Sequence, residues 1–329
     1  MEADRTTPNP SFAKEGNHPP LKLRLGTRGS ALALWQANWA KAELEQRWSG
    51  LEVELVTIKT TGDRIVSIPL AEVGGKGLFT KEIDEALLDG RIDFAVHSMK
   101  DIPFQLPAGI EFGAIPQRED PRDVFISSGR KLAELPIGAR IGTSSLRRQV
   151  QLLHRFPSIQ PVMLRGNVDT RLKKLAAGEF DGIVLALAGL RRLGYEALAT
   201  EILNEDMMLP AIGQGALGIV CRADDSSTWV RLAALDHRPT RVAVTAERGL
   251  LAVLEGSCKV PIAGNATLDG DRITVRGLVA NLSGTHVVAD QISGDVERAQ
   301  ELGVALGEQL IRRGAAAILA EIAQHGSSG

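Results

Sequence analysis

The chain has 329 residues, 44% hydrophobic and 24% charged, with a formal net charge of -2, which is enough sequence for two or three ordinary domains. A near-neutral total argues against nucleic-acid or anionic-membrane binding through bulk charge, and no apolar run reaches the ~20 residues of a membrane span. Residues 1–20 carry Pro, Asn, Thr and scattered charge without the apolar core of a signal or transit peptide, so a disordered extension and a cytoplasmic location are expected.

Leu21, Leu23 and Leu25 alternate with Lys22 and Arg24 as in a strand, and Ala31 to Trp48 has helical spacing. The turn between them, Gly26-Thr27-Arg28-Gly29-Ser30, opens that helix. Backbone N–H groups at a helix start favour anions, and Thr27, Arg28 and Ser30 add donors. The glycine spacing is that of neither a P-loop nor a dinucleotide fingerprint. A second strand runs from Leu51 to Thr60. Val73 to Gly77 is a glycine loop, followed by a helix from Leu78 to Leu88. Ile92 to Val96 reads as a buried strand ending in His97-Ser98-Met99-Lys100-Asp101-Ile102-Pro103.

Ile110 to Ile115 is a further strand, and the polar run Gln117 to Asp123 reads as a crossing between domains. The same grammar then restarts. A short strand at Ala139 to Gly142 leads to Thr143-Ser144-Ser145 and a helix from Leu146 to Phe156. A strand at Pro161 to Leu164 delivers Arg165-Gly166-Asn167, with Arg171 on the next helix. Gly182 to Leu187 is a strand and Ala188 to Leu193 a short helix. Ile212 to Cys221 returns the chain to the first lobe. A helix from Pro239 to Leu254, the loop Glu255 to Pro261, strands near Arg272 to Leu278 and His286 to Ile292, and a helix from Val296 to Arg313 form a smaller third unit. The tail from His325 is expected to fray.

The expected fold is α/β with three domains. The first spans residues 21–116 with 216–236, the second 117–215 and the third, α+β, 237–329. Two βα lobes facing each other make a cleft for an anionic ligand. Six cations, Arg28, Lys100, Arg147, Arg148, Arg165 and Arg171, lie at turns and helix starts. Arginine presents a planar fork matched to carboxylates, and each charge-assisted hydrogen bond contributes about 1.5–3 kcal/mol. Such a set suits a ligand with many carboxylates. Arg147-Arg148 alone would read as a solvated face; recurrence at turns is what favours the cleft.

Asp101 is then one acid among bases, suited to stabilising a cationic intermediate or to moving a proton on an amine. His97 reads as a satisfied structural histidine. Of the two cysteines, Cys258 lies in an accessible loop beside Lys259, whereas Cys221 sits on an apolar strand and reads as a packing residue. Neither has metal-ligand spacing, both are expected to be reduced, and no metal is expected.

Taken in order, these motifs resemble the porphobilinogen deaminase (hydroxymethylbilane synthase) family. The resemblance rests on Thr27-Arg28-Gly29-Ser30 with Leu32 to Ala37, Gly74 to Phe79, His97 to Asp101, and Gly142 to Arg148. It continues through Leu164 to Asn167 with Thr170-Arg171-Leu172, Gly213 to Ala216, and Ser257-Cys258 with Val260-Pro261. It implies three α/β domains, the first two like the lobes of a type II periplasmic binding protein. It also implies a dipyrromethane cofactor, assembled from substrate and held as a thioether on Cys258. Four porphobilinogens would be joined head to tail onto that anchor with loss of ammonia, and linear hydroxymethylbilane released by hydrolysis.

By motif, Asp101 would be catalytic, assisting ammonia departure and stabilising the azafulvene cation. Lys100, Thr143, Ser144, Ser145, Arg147 and Arg148 would hold the cofactor, and Arg28, Ser30, Arg165, Arg171, Gln36 and Gln214 the substrate. The resemblance further implies a monomer without nucleic-acid or membrane partners. Ser257 stands where the family commonly has a glycine, and residues 1–20 lie outside the resemblance. Two other readings compete. A non-enzymatic anion-binding protein would leave Asp101 and Cys258 without a role. A nucleic-acid binder using Arg147 to Lys174 is disfavoured by the 4% aromatic content.

Overall fold

The structure, a computed structural model, describes residues 21–64, 79–254 and 260–326. In chain order the first elements are β1 (Leu21–Thr27), α1 (Ala31–Arg47), β2 (Leu51–Thr57), the single turn α2 (Thr61–Arg64), α3 (Lys81–Leu88), β3 (Phe94–Ser98) and β4 (Ile110–Ala114). β1 alternates because Leu23 and Leu25 enter the core. α1 covers that face with Ala37, Ala40 and Leu44. On the other face α3 packs Ile83 and Leu87 against Ile92, Ala95 and Val220.

After the crossing come β5 (Asp123–Ser127), β6 (Arg140–Gly142), α4 (Leu146–Arg155), β7 (Gln160–Val162), α5 (Val168–Ala176), β8 (Gly182–Ala186), α6 (Leu187–Arg192) and β9 (Glu201–Leu203). The return brings β10 (Leu217–Arg222), α7 (Ser226–Ala233) and α8 (Arg238–Leu254). The last unit is β11 (Ile262–Asp269), β12 (Arg272–Ala280), β13 (Val287–Asp295), α9 (Ala299–Leu310) and α10 (Ala316–Gly326).

The two five-stranded sheets have the same plan: β2-β1-β3-β10-β4 and β7-β6-β8-β5-β9. In each, three parallel strands are followed by one antiparallel strand and an edge strand. The antiparallel strand is the one that enters from an interlobe crossing. Its register places Leu217 opposite Ser98 at the end of β3, and Asp123 opposite Ala186 at the end of β8. Both crossings therefore deliver the chain to the carboxyl edges of the parallel strands, where open α/β sheets bind ligands.

The third sheet, β11-β12-β13, is an antiparallel meander. α8 and α9 cover it through Leu250, Leu254, Leu306 and Leu310 against Ile273 and Val275. Glu247 on α8, wholly buried, ties the three parts together. It accepts from Arg118 on the outward crossing, from the Gly213 N–H on the return crossing (2.6 Å) and from the Ala266 N–H on β11 (2.9 Å).

Several elements depart from the sequence reading. β5 begins on Asp123, which the polar run disguised as the end of a connection. β9 has three residues, too few for a period, and β11 escaped because its buried positions include Gly264 and Asn265. α3 starts at Lys81, three residues late. The last helix does not end at Arg313: a π turn at Ile311–Ala315, with Gly314 at φ 114°, bends it into α10. Only glycine adopts that conformation readily. The glycine loop at Gly74 to Gly77, Cys258, and the tail beyond 326 lie outside the described residues.

Candidate active site

β3 is a central strand, buried from Phe94 to His97, and it stops in a single tight turn, Met99–Asp101. Met99 and Ile102 are buried, and the Met99 N–H donates to the Ala216 carbonyl at 3.0 Å. The two residues between these anchors, Lys100 and Asp101, are thereby turned outward, and both are exposed. The Lys100 Nζ donates to Gln214 Oε1 at 3.3 Å. Asp101 has no ion pair or hydrogen bond among the described residues, so its carboxylate is open to a ligand.

Lys100 meets cleft water, yet the protein around it desolvates its ammonium. With Arg148 and Arg147 this outweighs the attraction of Asp101 and Asp123 and brings its pKa down to about 8. The same crowding reaches Arg171: burial first, then the charges of Arg148 and Arg165, lower it to about 10. Arg148 thus lies within electrostatic reach of Lys100, Arg147 and Arg171, and Arg165 within reach of Arg171, although the chain as a whole is slightly acidic. Arg28 belongs to the first lobe, its guanidinium 4.2 Å over the Phe79 ring. Burial, and then the Arg28 charge, press the pKa of His97 down to about 4. Among the described residues the buried Nε2 of His97 has no partner, so this histidine is neutral but not satisfied as its sequence context suggested.

The helix starts explain the motifs. Ser30 caps α1, its hydroxyl accepting from the Ala33 N–H at 3.3 Å. Ser145 stands at the same place before α4 but makes no side-chain cap bond. Thr143 is buried and its hydroxyl accepts from the Ser145 N–H, while Ser144 and Ser145 are half-buried. Asn167 caps α5, accepting from the Thr170 N–H at 2.9 Å. Gly166 before it has φ 113°, and a Cβ there would lie 2.7 Å from Thr170; its carbonyl accepts from Arg171 Nε at 2.8 Å. Gln36 is buried and donates to Ser98 Oγ at 3.0 Å, beside the Lys100 turn.

Arg147 and Arg148 are not a solvated face. They are 5% and 6% exposed and close on Asp123, which is wholly buried. Arg147 Nη1 donates to Oδ2 at 2.7 Å; Arg148 donates to Oδ1 through Nη2 at 2.7 Å and Nε at 3.1 Å. Gln214 Nε2 adds a donor at 2.9 Å. Burial opposes ionisation of Asp123, but the two guanidiniums outweigh it and hold the carboxyl well below the usual range. One carboxylate against two arginines leaves this corner cationic, and the buried Arg147 Nε has no partner among the described residues. Uncompensated donors and charge, next to the open α4 N-terminus, fit a ligand bearing carboxylates.

A separate cavity of about 340 Å³ lies between α4 and the third sheet. Among its lining charges Arg276 pairs with Asp206 and Glu205, Arg155 donates to the Asp206 carbonyl, and Asp290 pairs with Arg313 outside it. Its lining holds three carboxylates to two arginines, the opposite balance to the cationic corner of the cleft.

Comparison with known proteins decides the family. A profile described as porphobilinogen deaminase, dipyromethane cofactor binding domain, matches residues 23–229. The porphobilinogen deaminase C-terminal domain matches residues 242–312. The chain belongs to the porphobilinogen deaminase family. Porphobilinogen deaminase of Geobacter metallireducens is 55% identical over 93% of this chain and 96% of its own. That of Nitratidesulfovibrio vulgaris is 53% identical over 92% and 97%. Among solved structures, the VFT2 domain of Bordetella pertussis BvgS aligns over 66% of this chain and 86% of its own, at 14% identity and TM-score 0.40.

Two residues of this family member escaped the sequence reading. Asp123 looked like the end of a polar linker, and the arginine pair that marks it lies 24 residues away. Arg192, at the end of α6 in the second lobe, reaches the Gly215 carbonyl at 2.7 Å and the Trp35 ring on α1 at 5.8 Å. Only a structure brings α1 and α6 together. No helix among the described residues is long and apolar enough to cross a membrane.

Proposed function

We infer that this porphobilinogen deaminase performs its condensation in the cleft at the ends of β3 and β8. The enzyme is a transferase of tetrapyrrole synthesis that makes hydroxymethylbilane from porphobilinogen, and it carries a dipyrromethane cofactor. The observation that supports this placement is the open Asp101 carboxylate beside Lys100, with Arg147 and Arg148 close enough to Lys100 to lower its pKa. Each pyrrole brings an acetate and a propionate, and the cationic side chains supply the opposite charge.

In this reading the open N-terminus of α4, with Thr143, Ser144 and Ser145, and the cations Lys100, Arg147 and Arg148 hold the cofactor's carboxylates. The cofactor, when bound through Cys258, supplies the nucleophilic pyrrole carbon to which the first substrate is joined. Arg28 and Ser30 from the first lobe, and Arg165 and Arg171 from the second, bind and orient the incoming porphobilinogen, with Gln36 and Gln214 beside them. Asp101 Oδ accepts hydrogen bonds from pyrrole N–H groups and faces the positive charge that grows on the substrate as ammonia leaves. At ~4 Å and an effective dielectric near 20, a carboxylate stabilises a unit cation by roughly 4 kcal/mol. The domain division at residues 116/117, 215/216 and 236/237, a monomeric state and a cytoplasmic location complete the proposal; light scattering on the purified protein tests the second.

The decisive measurement is the intact mass of the purified protein beside Cys258→Ala. An excess of two linked pyrrole units in the wild type and none in the variant is expected. The same pyrrole excess in Cys258→Ala as in the wild type, or no excess in either even after incubation with porphobilinogen, would remove Cys258 as the anchor.

A further inference from the structure

We propose that Asp123 is a positioning residue for the condensation: from the junction of the lobes it holds Arg147 and Arg148 in register with Lys100, through Gln214. The proposal rests on the reading of these cations as ligands of pyrrole carboxylates.

The topology places Asp123 at a singular point. It is the first residue of β5, where the outward crossing ends, and it lies opposite Ala186 at the carboxyl end of β8. Gln214 is on the return crossing. Its Nε2 donates to the Pro121 carbonyl at 2.7 Å and to Asp123 Oδ1 at 2.9 Å, and its Oε1 accepts from Lys100 Nζ at 3.3 Å. Arg118 Nε, also on the outward crossing, donates to the Gln214 carbonyl at 2.8 Å. A continuous chain of hydrogen bonds therefore runs from Lys100 in the first lobe, through both crossings, to the arginine pair on α4 in the second.

Each guanidinium is also held by a main-chain acceptor, Arg147 by Leu209 at 2.8 Å and Arg148 by Val184 at 3.0 Å. The carbonyls set how far the arginines reach; Asp123 sets their angle to each other and removes part of their repulsion. A charged hydrogen-bonded fork has its force only in one orientation. If the lobes move while the bound chain lengthens, a linkage anchored on the crossings keeps this register, because the crossings are the part of each lobe that the other shares.

The groups facing Lys100 are Asp101 on its own turn, Arg147 and Arg148 on α4, and Asp123 on β5. Removing the Asp123 charge leaves the two arginines less compensated, so Lys100 holds its proton less well. The test is steady-state turnover of Asp123→Asn as a function of pH, with intact mass and circular dichroism to establish cofactor load and folding. Expected are at least a tenfold lower kcat and an alkaline limb moved by half a pH unit or more towards acid. Asp123→Glu, which restores the charge, should return the limb towards the wild type. A merely structural role would lower the melting temperature and leave the limb where it was.

Should Asp123→Asn not fold, Gln214→Leu decides: it keeps every charge and removes only the link, and an acid shift of the limb is again expected. An unchanged profile in a folded variant overturns the proposal. Arg148→Ala run in parallel separates the two levels. Wild-type turnover and cofactor load in Arg148→Ala would overturn the site reading and this proposal with it. Wild-type behaviour of Asp123→Asn beside a crippled Arg148→Ala would overturn this proposal alone.

Discussion

Asp101 and Asp123 are carboxylates at corresponding edges of two sheets built to one plan, and their environments are opposite. Asp101 follows β3 on a tight turn whose neighbours Met99 and Ile102 are buried, so it is pushed into the cleft and left without an ion pair among the described residues. Asp123 begins β5 inside the second lobe and accepts from two arginines and a glutamine. An acid with free lone pairs can respond to charge that develops in a reaction; a buried acid that already accepts four hydrogen bonds orients the groups that donate them. Local packing has divided one chemical group into two tasks.

Neutralising each acid should expose that division. Asp101→Asn is expected to reduce kcat by about three decades, the rate equivalent of ~4 kcal/mol, with a melting temperature within a degree or two of the wild type because the side chain is exposed. A stability loss matching the activity loss would erase the contrast. Asp123→Asn is expected to act on the fold as well, costing on the order of 3–5 kcal/mol in denaturant titrations, since it strands two buried guanidiniums. Its pH dependence has a definite sign. The folded-state pKa lies below the unfolded value of ~3.9, so the contribution is complete above that value and is lost as pH falls through the folded pKa. The variant and wild type should therefore converge in stability only in strong acid.

Lys100 lies between the two acids and sharpens the comparison. With its pKa lowered to about 8, turnover that needs its positive charge should decline as pH rises through that value. Lys100→Arg should carry the limb to higher pH, read from kcat/KM against pH. The smallest effects belong to the two helix starts. Ser30→Ala should cost ~1 kcal/mol because it removes a cap bond, whereas Ser145→Ala, with no cap bond to lose, should leave stability within ~0.5 kcal/mol while weakening cofactor retention. Chemical denaturation of the pair, with intact mass for the second, checks both.

Much of this was legible in the chain itself. The alternation of Leu21 to Leu25, the helical spacing from Ala31, and the apolar run before Lys100-Asp101 are local signals with fixed periods, so they placed β1, α1 and β3 closely. The arginines at turns announced a cationic cleft. Their actual partner did not: the Arg147–Asp123 contact spans 24 residues and crosses from a helix to a strand that a charged residue begins.

The sequence by itself determined the family, the α/β character and the type of ligand, because ordered motifs, hydrophobic period and charge type are properties of neighbouring residues. Tertiary structure alone decided which charges are spent inside the protein and which face the ligand. Arg147 and Arg148 read as cleft cations, and the fold buries them against Asp123 while leaving Arg147 Nε without a partner among the described residues; His97 reads as satisfied and keeps an Nε2 unpartnered among those residues. Burial and pairing depend on what the sheet order and the two crossings bring into contact, and no local pattern encodes that.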